Sequence, residues 1–368
     1  MPVLKKIVVK DFRNIEFQEI HFSPNINCIS GNNGEGKTNL LEAIYYLSMT
    51  KSPMSGLDRY NFRHGCDSFT VAGTYLMPNG LESVFSIQVN SDGSKRIKRD
   101  EKTLQRISDH VGILPIVLVS PSDTTLVSDA GEERRRFVNS VLSQLDRKYL
   151  GDMQAYNRLL QQRNRLLKED EPDLKLMEAF DFQLSMLAEP ITCRRREFVN
   201  ALIPLVSQYY EELSGAKESV GIEYRTDLDK GPLEETLAAT RDRDKVLRYT
   251  SAGIQRDDFI FLMDGHPIRK CGSQGLQKSF LVSLKFAQYD LMREERGIAP
   301  ILLLDDMFDK LDMGRVSNLL SMVAGSDFGQ IFLTDSNKVR LAGIVDALTD
   351  DRSYFETVAG VFTKVEEE

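Results

Sequence analysis

The chain opens on alternation. Residues 3–10 alternate as a β-strand, and residues 22–30 give a second strand that runs straight into a glycine-rich loop. Residues 39–47 then continue with helical periodicity. Residues 69–99 read as β-ribbons, with two strand-like runs broken at Pro78-Asn79-Gly80 and a turn at Asp92-Gly93. From about 131 to 215 the period becomes helical. Tyr149, Met153, Tyr156, Leu160 and Leu167 share one face, and Glu169-Asp170-Glu171-Pro172 stops the run. Phe180, Leu184, Leu187, Ile191, Phe198, Leu202, Leu205 and Tyr209 mark a second helical stretch. A helix over about 145–168 would reach only about 35 Å, so packed helices of modest length are expected, not a long coiled-coil arm. Strand character returns at 220–224 and 259–263. Two buried strands follow at 301–304 and 330–335, and Glu366-Glu367-Glu368 form a short acidic end.

The order strand, loop, helix gives the loop its meaning. Gly31-Asn32-Asn33-Gly34-Glu35-Gly36-Lys37-Thr38 fits G-x-x-x-x-G-K-[ST] between a strand and a helix. Backbone N–H groups and the positive end of the helix would cradle polyphosphate. Lys37 would bridge the β- and γ-phosphates of ATP, and the Thr38 hydroxyl would ligate Mg²⁺. Ile301-Leu302-Leu303-Leu304-Asp305-Asp306 is an apolar strand ending in two carboxylates. Asp305 would hold the same Mg²⁺, and Asp306 stands where a water-orienting base belongs. Asp in place of Glu is one methylene short, so slow hydrolysis is expected.

Lys37 and Asp305 lie 268 positions apart (305 less 37). A large segment is therefore inserted between the halves of one site. The expected architecture is α/β: an ABC-type P-loop ATPase head over 1–125 and 245–368, with an inserted, mainly helical arm over 126–244. Ahead of the acidic strand, Ser273-Gln274-Gly275 resembles a signature loop whose helix N-terminus could receive the γ-phosphate of a partner subunit's nucleotide. Just beyond it, Leu311-Asp312 could contact that subunit. The polar end of the 330–335 strand, where no His stands, would sense the γ-phosphate.

Composition narrows the class without changing it. The 368 residues allow two domains, with 41% apolar and 28% charged residues. No apolar run approaches the roughly 18 residues of a membrane span. Cys28, Cys66, Cys193 and Cys271 are scattered without metal or redox spacing, so a reducing, cytoplasmic setting is expected. His21, His64, His110 and His266 show no catalytic spacing and are expected to be structural. The net charge of −8 opposes indiscriminate nucleic-acid binding but allows a local basic surface. Arg134-Arg135-Arg136 and Arg194-Arg195-Arg196 are the two basic clusters of the insert. They read equally well as such a surface or as solvated helix faces paired to Glu132, Glu133 and Glu197.

Together these motifs resemble the RecF family, bacterial recombination-mediator ATPases related to SMC and ABC-type heads. The resemblance covers essentially the whole chain. It rests on Phe12-Arg13-Asn14, on the loop at 31–38, and on Ser120-Pro121-Ser122-Asp123 leading to Arg134-Arg135-Arg136-Phe137. Leu160-Gln161-Gln162-Arg163-Asn164, Gly253-Ile254-Gln255-Arg256-Asp257-Asp258, Ser273-Gln274-Gly275 and the stretch from Asp305-Asp306 to Leu311-Asp312 complete it. Gln255, Leu276, Lys310, Ser122 and Asp335 depart from the family's usual residues.

The resemblance implies nucleotide contacts at Arg13 and Asn14 and a homodimer with two ATP molecules between its heads. It also implies ATP-gated binding to gapped or single-stranded DNA and a weak, DNA-stimulated ATPase. RecR and RecO are the implied partners, and loading RecA at gaps is the implied task, with roles in replication and SOS induction. A transporter ATPase subunit docking a membrane or protein partner would share the loop and the acidic strand. The absent switch His and signature Gly pair oppose it. A small-molecule phosphotransferase would need a compact domain, which the long insertion opposes.

Overall fold

The computed structural model describes residues 1–54, 56–129, 131–215, 218–307, 328–338, 343, 345–346 and 349–365. The chain divides into two compact units. The first is Met1–Asp123, Glu212–Ser214 and Lys285–Glu368; the second is Thr124–Glu211 and Gly215–Leu284. The sequence reading returns to the head at 245, whereas the second unit runs on to 284 and takes Ser273 with it.

In the first unit, β1 (Val3–Phe12) turns through Arg13 and Asn14 into β2 (Ile15–His21), with Phe12 opposite Ile15. Arg13 takes φ +54°, the left-handed conformation a two-residue hairpin demands. Strand β2 is additional to those expected from the sequence, and the strand expected from residue 22 begins four residues later. Asn27 is the reason: its side chain accepts from Ser23 N–H (2.8 Å) and donates to Ser23 O (2.9 Å). That closed turn delays β3 to Ile26–Ser30.

The ribbons expected over 69–99 are present as β4 (Ser68–Leu76), β5 (Glu82–Asn90) and β6 (Lys95–Arg99). With the short β7 (Lys102–Thr103) they form an antiparallel sheet in the order β2-β1-β4-β5-β6-β7. The second sheet brings β3 together with β8 (Ile116–Val119), β12 (Ile301–Leu304), β13 (Ile331–Asp335), β14 (Arg352–Val358) and β15 (Val361–Val365). Its order is β15-β14-β3-β13-β12-β8, parallel except at β15.

Helix α1 (Lys37–Met49) is buried on nearly every side. Leu40, Ile44 and Leu47 pack in one cluster with Val9, Phe69 and Val71 of the antiparallel sheet and with Ile29, Leu303 and Phe332 of the parallel one. Each such side chain contributes roughly 1.5–3 kcal/mol on burial, and together they fix the helix that follows the loop.

The second unit holds α2 (Thr125–Ser128), α3 (Gly131–Leu145), α4 (Arg147–Leu166), α5 (Leu174–Ser214), α6 (Leu233–Leu247), α7 (Ile268–Cys271) and the start of α8 (Gln274–Arg296). A small antiparallel sheet of β9 (Val220–Arg225), β10 (Asp258–Met263) and β11 (His266–Pro267) runs in the order β11-β10-β9. The modest helix length expected of the arm is corrected by α5, whose 41 residues reach about 60 Å. It includes Pro190 and Pro204, and each interior proline costs about 3 kcal/mol. Leu184, Ala188, Ile191, Phe198, Leu202 and Val206 are all buried along one stripe, and that packing carries the helix across both.

The arginine clusters are built into this unit. Arg136 pairs with Glu132 and Glu133 at the surface, and Arg194 reaches Glu197 at 3.7 Å, as expected of solvated faces. Arg134 and Arg195 are instead buried. Arg134 forks onto Asp258 (2.9 and 3.1 Å), and Arg195 meets Asp257 at 2.6 Å while donating to Ile254 O and Asn139 Oδ1. Arg163 is equally buried between Asp181 (2.6 Å) and Asp244 (2.8 Å). The Asp257-Asp258 pair thus serves as the counter-charge for both clusters.

Candidate active site

Parallel strands place their carboxyl ends on one edge, the usual position of a ligand crevice. Here Ser30 of β3, Asp335 of β13 and Asp305 after β12 come to that edge, because β13 pairs with β3 on one side and with β12 on the other. The sheet therefore reunites the P-loop and the acidic strand. Leu311, Asp312 and Lys310 lie outside the described residues, as do Glu366, Glu367 and Glu368.

Gly36 caps α1 at φ +108° and offers no side chain to its first N–H groups, which leaves them for an anion. A Cβ there would stand 2.7 Å from the Asn14 side chain, which the loop holds in place, and φ +108° itself favours glycine. Lys37 is buried with its ammonium inside the loop. Nζ donates to Gly31 O (2.7 Å), Asn32 O (3.2 Å) and Asn33 Oδ1 (3.4 Å). One residue on, Thr38 Oγ1 meets both oxygens of Asp305, at 3.0 and 2.9 Å.

Asp305 is 2% exposed. Burial raises its carboxyl pKa above the usual range, against hydrogen bonds from Thr334 and Thr38, and the neighbouring Asp306 pushes the same way. A buried carboxylate touching a hydroxyl fits Mg²⁺, which takes one or two protein oxygens and fills its octahedron with water and phosphate. Thr38 and Asp305 would hold that ion.

Thr334 lies in the polar end of the 330–335 strand expected to sense the γ-phosphate, but its ties to Asp305 and Asp306 are additional to that expectation. Its hydroxyl donates to Asp305 Oδ1 (2.7 Å) and accepts from the Asp306 N–H (2.9 Å). Asp306 itself sits at φ +42°, a strained conformation for a non-glycine residue. At the tip of β13, Asp335 is buried and accepts from Asn337 N–H at 2.7 Å.

Arg13 and Asn14 sit beside the loop, in different roles. The Arg13 guanidinium is paired at 2.5 Å with Glu42 of α1, whose pKa burial raises despite that partner. Asn14 donates to Glu35 O (3.3 Å) and accepts from Asn39 Nδ2 (2.7 Å). Glu35 O also accepts from Thr357 Oγ1 (3.2 Å) and Gly360 N (2.8 Å), and the Glu35 carboxylate takes the Ala359 N–H. The loop is thus gripped by two hairpins, β1–β2 and β14–β15. The second grip went unread, although Ala359-Gly360 is a two-residue turn with positive φ at both positions (+50° and +81°) between apolar strands.

Ser273, Gln274 and Gly275 belong to the second unit. Ser273 Oγ accepts from Leu276 N–H at 3.4 Å and caps α8, while Ser273 and Gln274 are exposed. Ser120-Pro121-Ser122-Asp123 follows β8 in the first unit, where Asp123 pairs with Lys285 at 2.8 Å. Gln255 accepts from Tyr156 OH (2.6 Å), a packing role. His110 is buried with Nε2 2.6 Å from Leu47 O, and His21, His64 and His266 are exposed. Among the described residues no group of three or more His, Cys, Asp or Glu could hold a metal, and no helix is long and apolar enough to cross a membrane.

Comparison with known proteins agrees with this geometry. The family described as RecF/RecN/SMC N terminal domain matches residues 3–348. A "DNA replication and repair protein RecF" of Bacteroides fragilis is 39% identical over 366 residues, covering 99% of each chain. A protein of the same description from Parabacteroides distasonis is 40% identical over 365 residues, 99% of this chain and 100% of that one. A solved structure described as the recombination mediator protein RecF-ATP in the RecFOR pathway superposes with a TM-score of 0.89. It is 28% identical and covers 99% of this chain and 98% of its own. The Smc head domain of Pyrococcus furiosus, 17% identical over 99% of this chain and 96% of its own with a TM-score of 0.58, shares the fold. The head is an ABC-type ATPase fold.

Proposed function

The chain belongs to the RecF family, and from that premise we propose that it is an ATP-dependent DNA-binding protein of recombinational repair. It dimerises on ATP, binds gapped or single-stranded DNA, and helps load RecA at gaps together with RecR and RecO, in the cytoplasm. The supporting observation is the Lys37–Thr38–Asp305 constellation, assembled from residues far apart in sequence.

Lys37 and the open N-terminus of α1 would hold the phosphates. Thr38 and Asp305 would hold Mg²⁺, which neutralises phosphate charge. Ser273 and Gly275 of a second copy would receive the γ-phosphate and close the dimer. Asp306 would orient the attacking water, and its short side chain makes turnover slow. Loss of the γ-phosphate bridge would reopen the dimer, so hydrolysis acts as a switch.

Binding to a gapped duplex with and without ATP, by native protein and by Lys37→Met, tests this. ATP-dependent binding and dimerisation that vanish in the variant are expected. Equal binding in all four conditions would separate the ATP site from DNA. No DNA binding anywhere would favour an ATPase that docks a protein.

A further inference from the structure

Within the second unit, α3, β9, β10 and α7 border a cleft of about 210 Å³. Its apolar part includes Ile260, Pro267 and Ile268, and its basic side chains are Arg134, Arg225, Arg269 and Lys270 against the carboxylate of Asp258. That concentration of positive charge stands out on a chain with a net charge of −8. Arg134 forks onto Asp258 and neutralises it, so both are structural. Arg225, opposite Asp258 in the strand register, is side-chain exposed and forks onto Glu223 at the surface. Solvent screens that pair. Arg269 and Lys270 are exposed and have no ion-pair partner among the described residues.

We propose that this cleft, through Arg225, Arg269 and Lys270, holds the sugar–phosphate backbone of DNA. The inference rests on the DNA-binding reading above and names the surface that reading left open. Two features favour a nucleic-acid backbone. Arg269 and Lys270, exposed and without an ion-pair partner among the described residues, and Arg225, held only by a solvent-screened surface pair, suit phosphate oxygens, which need charge and donors without a fixed partner geometry. The apolar lining, Ile260, Pro267 and Ile268, suits the C–H faces of deoxyribose, which accompany the phosphates along a strand. From the triple-arginine runs, Arg134 and Arg195 are not available to phosphate, because they are held by the half-buried Asp258 and the buried Asp257.

Lys270 is followed by Cys271, Gly272 and then Ser273, the cap of α8. If Ser273 engages the nucleotide of a second copy, the cationic residues of α7 are placed by the same turn, and DNA contact is joined to nucleotide occupancy.

The test is the double variant Arg269→Gln/Lys270→Gln in the full chain. Binding to a gapped duplex in saturating ATP is measured by fluorescence anisotropy across a salt series. Each lost phosphate contact removes about 0.9 from the slope of log affinity against log salt. The variant is therefore expected to show a slope shallower by about two and an affinity lower by about tenfold at 0.1 M salt, with ATP-dependent dimerisation and the thermal midpoint unchanged. Native affinity with an unchanged slope in the variant would overturn the proposal. A native chain that binds no DNA under any condition would instead overturn the functional reading on which it rests. Arg225→Gln, measured the same way, is expected to lower the slope by a further one, and no change would remove Arg225 from the site.

Discussion

Thr334 and Asp305 are joined by a 2.7 Å hydrogen bond between strands that lie side by side in the sheet but 29 positions apart in the chain. The same Thr334 hydroxyl accepts from the Asp306 N–H, so one side chain orients the proposed cation ligand and sets the backbone of the proposed water-orienting residue.

Replacing Thr334 by Val removes both bonds while keeping the shape of the side chain. The Asp306 N–H loses this acceptor, at about 1–3 kcal/mol, while Asp305 keeps its bond from Thr38 but loses the one that orients it across the sheet. ATP hydrolysis should fall about tenfold or more, and the Mg²⁺ concentration for half-maximal nucleotide binding should rise. Thr334→Ser should restore most of both. A Val variant with native Mg²⁺ dependence would remove Thr334 from the site.

Asp305 makes a prediction with a definite sign. Its folded pKa is raised above the usual carboxylate value, so the folded state binds the proton more tightly than the unfolded state. Stability therefore falls as pH rises from the ordinary value through the raised one. At neutral pH Asp305→Asn should raise the melting temperature of the nucleotide-free protein and abolish Mg²⁺-dependent nucleotide binding. Native Mg²⁺-nucleotide affinity should weaken as pH drops into the raised range, with proton release on binding. Calorimetry in buffers of different ionisation enthalpy measures that release.

Gly360 takes φ +81°, and a Cβ added there would lie 2.4 Å from Asn14 O. Gly360→Ala should destabilise the protein by about 1–3 kcal/mol and weaken nucleotide binding, because the Gly360 N–H is one of the donors fixing Glu35 O. Urea unfolding and nucleotide titration read the two effects. Gly80, also at positive φ but with open space about it, should tolerate Ala with a smaller loss of stability and no loss of nucleotide affinity.

The two arginine runs should separate in the same assay. Arg195→Ala leaves Asp257 buried without its partner and should cost about 3–5 kcal/mol. Arg136→Ala breaks only surface pairs and should cost under about 1 kcal/mol. Any loss of DNA binding in Arg195→Ala should then track loss of folded protein by circular dichroism.

The sequence was most legible where chemistry is local. Residues 31–38 carry their own context, and the pair Asp305-Asp306 ends an apolar run, so both halves of the site could be read and matched. The partners of Thr334 were not legible, because a threonine at a strand end is ordinary until register sets it against β12. The buried roles of Arg134 and Arg195 were hidden for a related reason. Their counter-charges Asp258 and Asp257 are 124 and 62 positions away, and a one-dimensional pattern shows only the near glutamates. The length of α5 was obscured because local stop signals and propensity do not register the buried stripe that holds a proline-containing helix together.

The neighbours of β3 set the order in which this protein can come into being. Residues 26–30 leave the ribosome before the strands that flank them, 331–335 and 352–358, which are made some three hundred residues later. Throughout that interval the five-residue run that leads into the P-loop has both backbone edges unpaired, a template for unwanted pairing. The nucleotide pocket can therefore close only after both flanking strands have been made, long after its own loop.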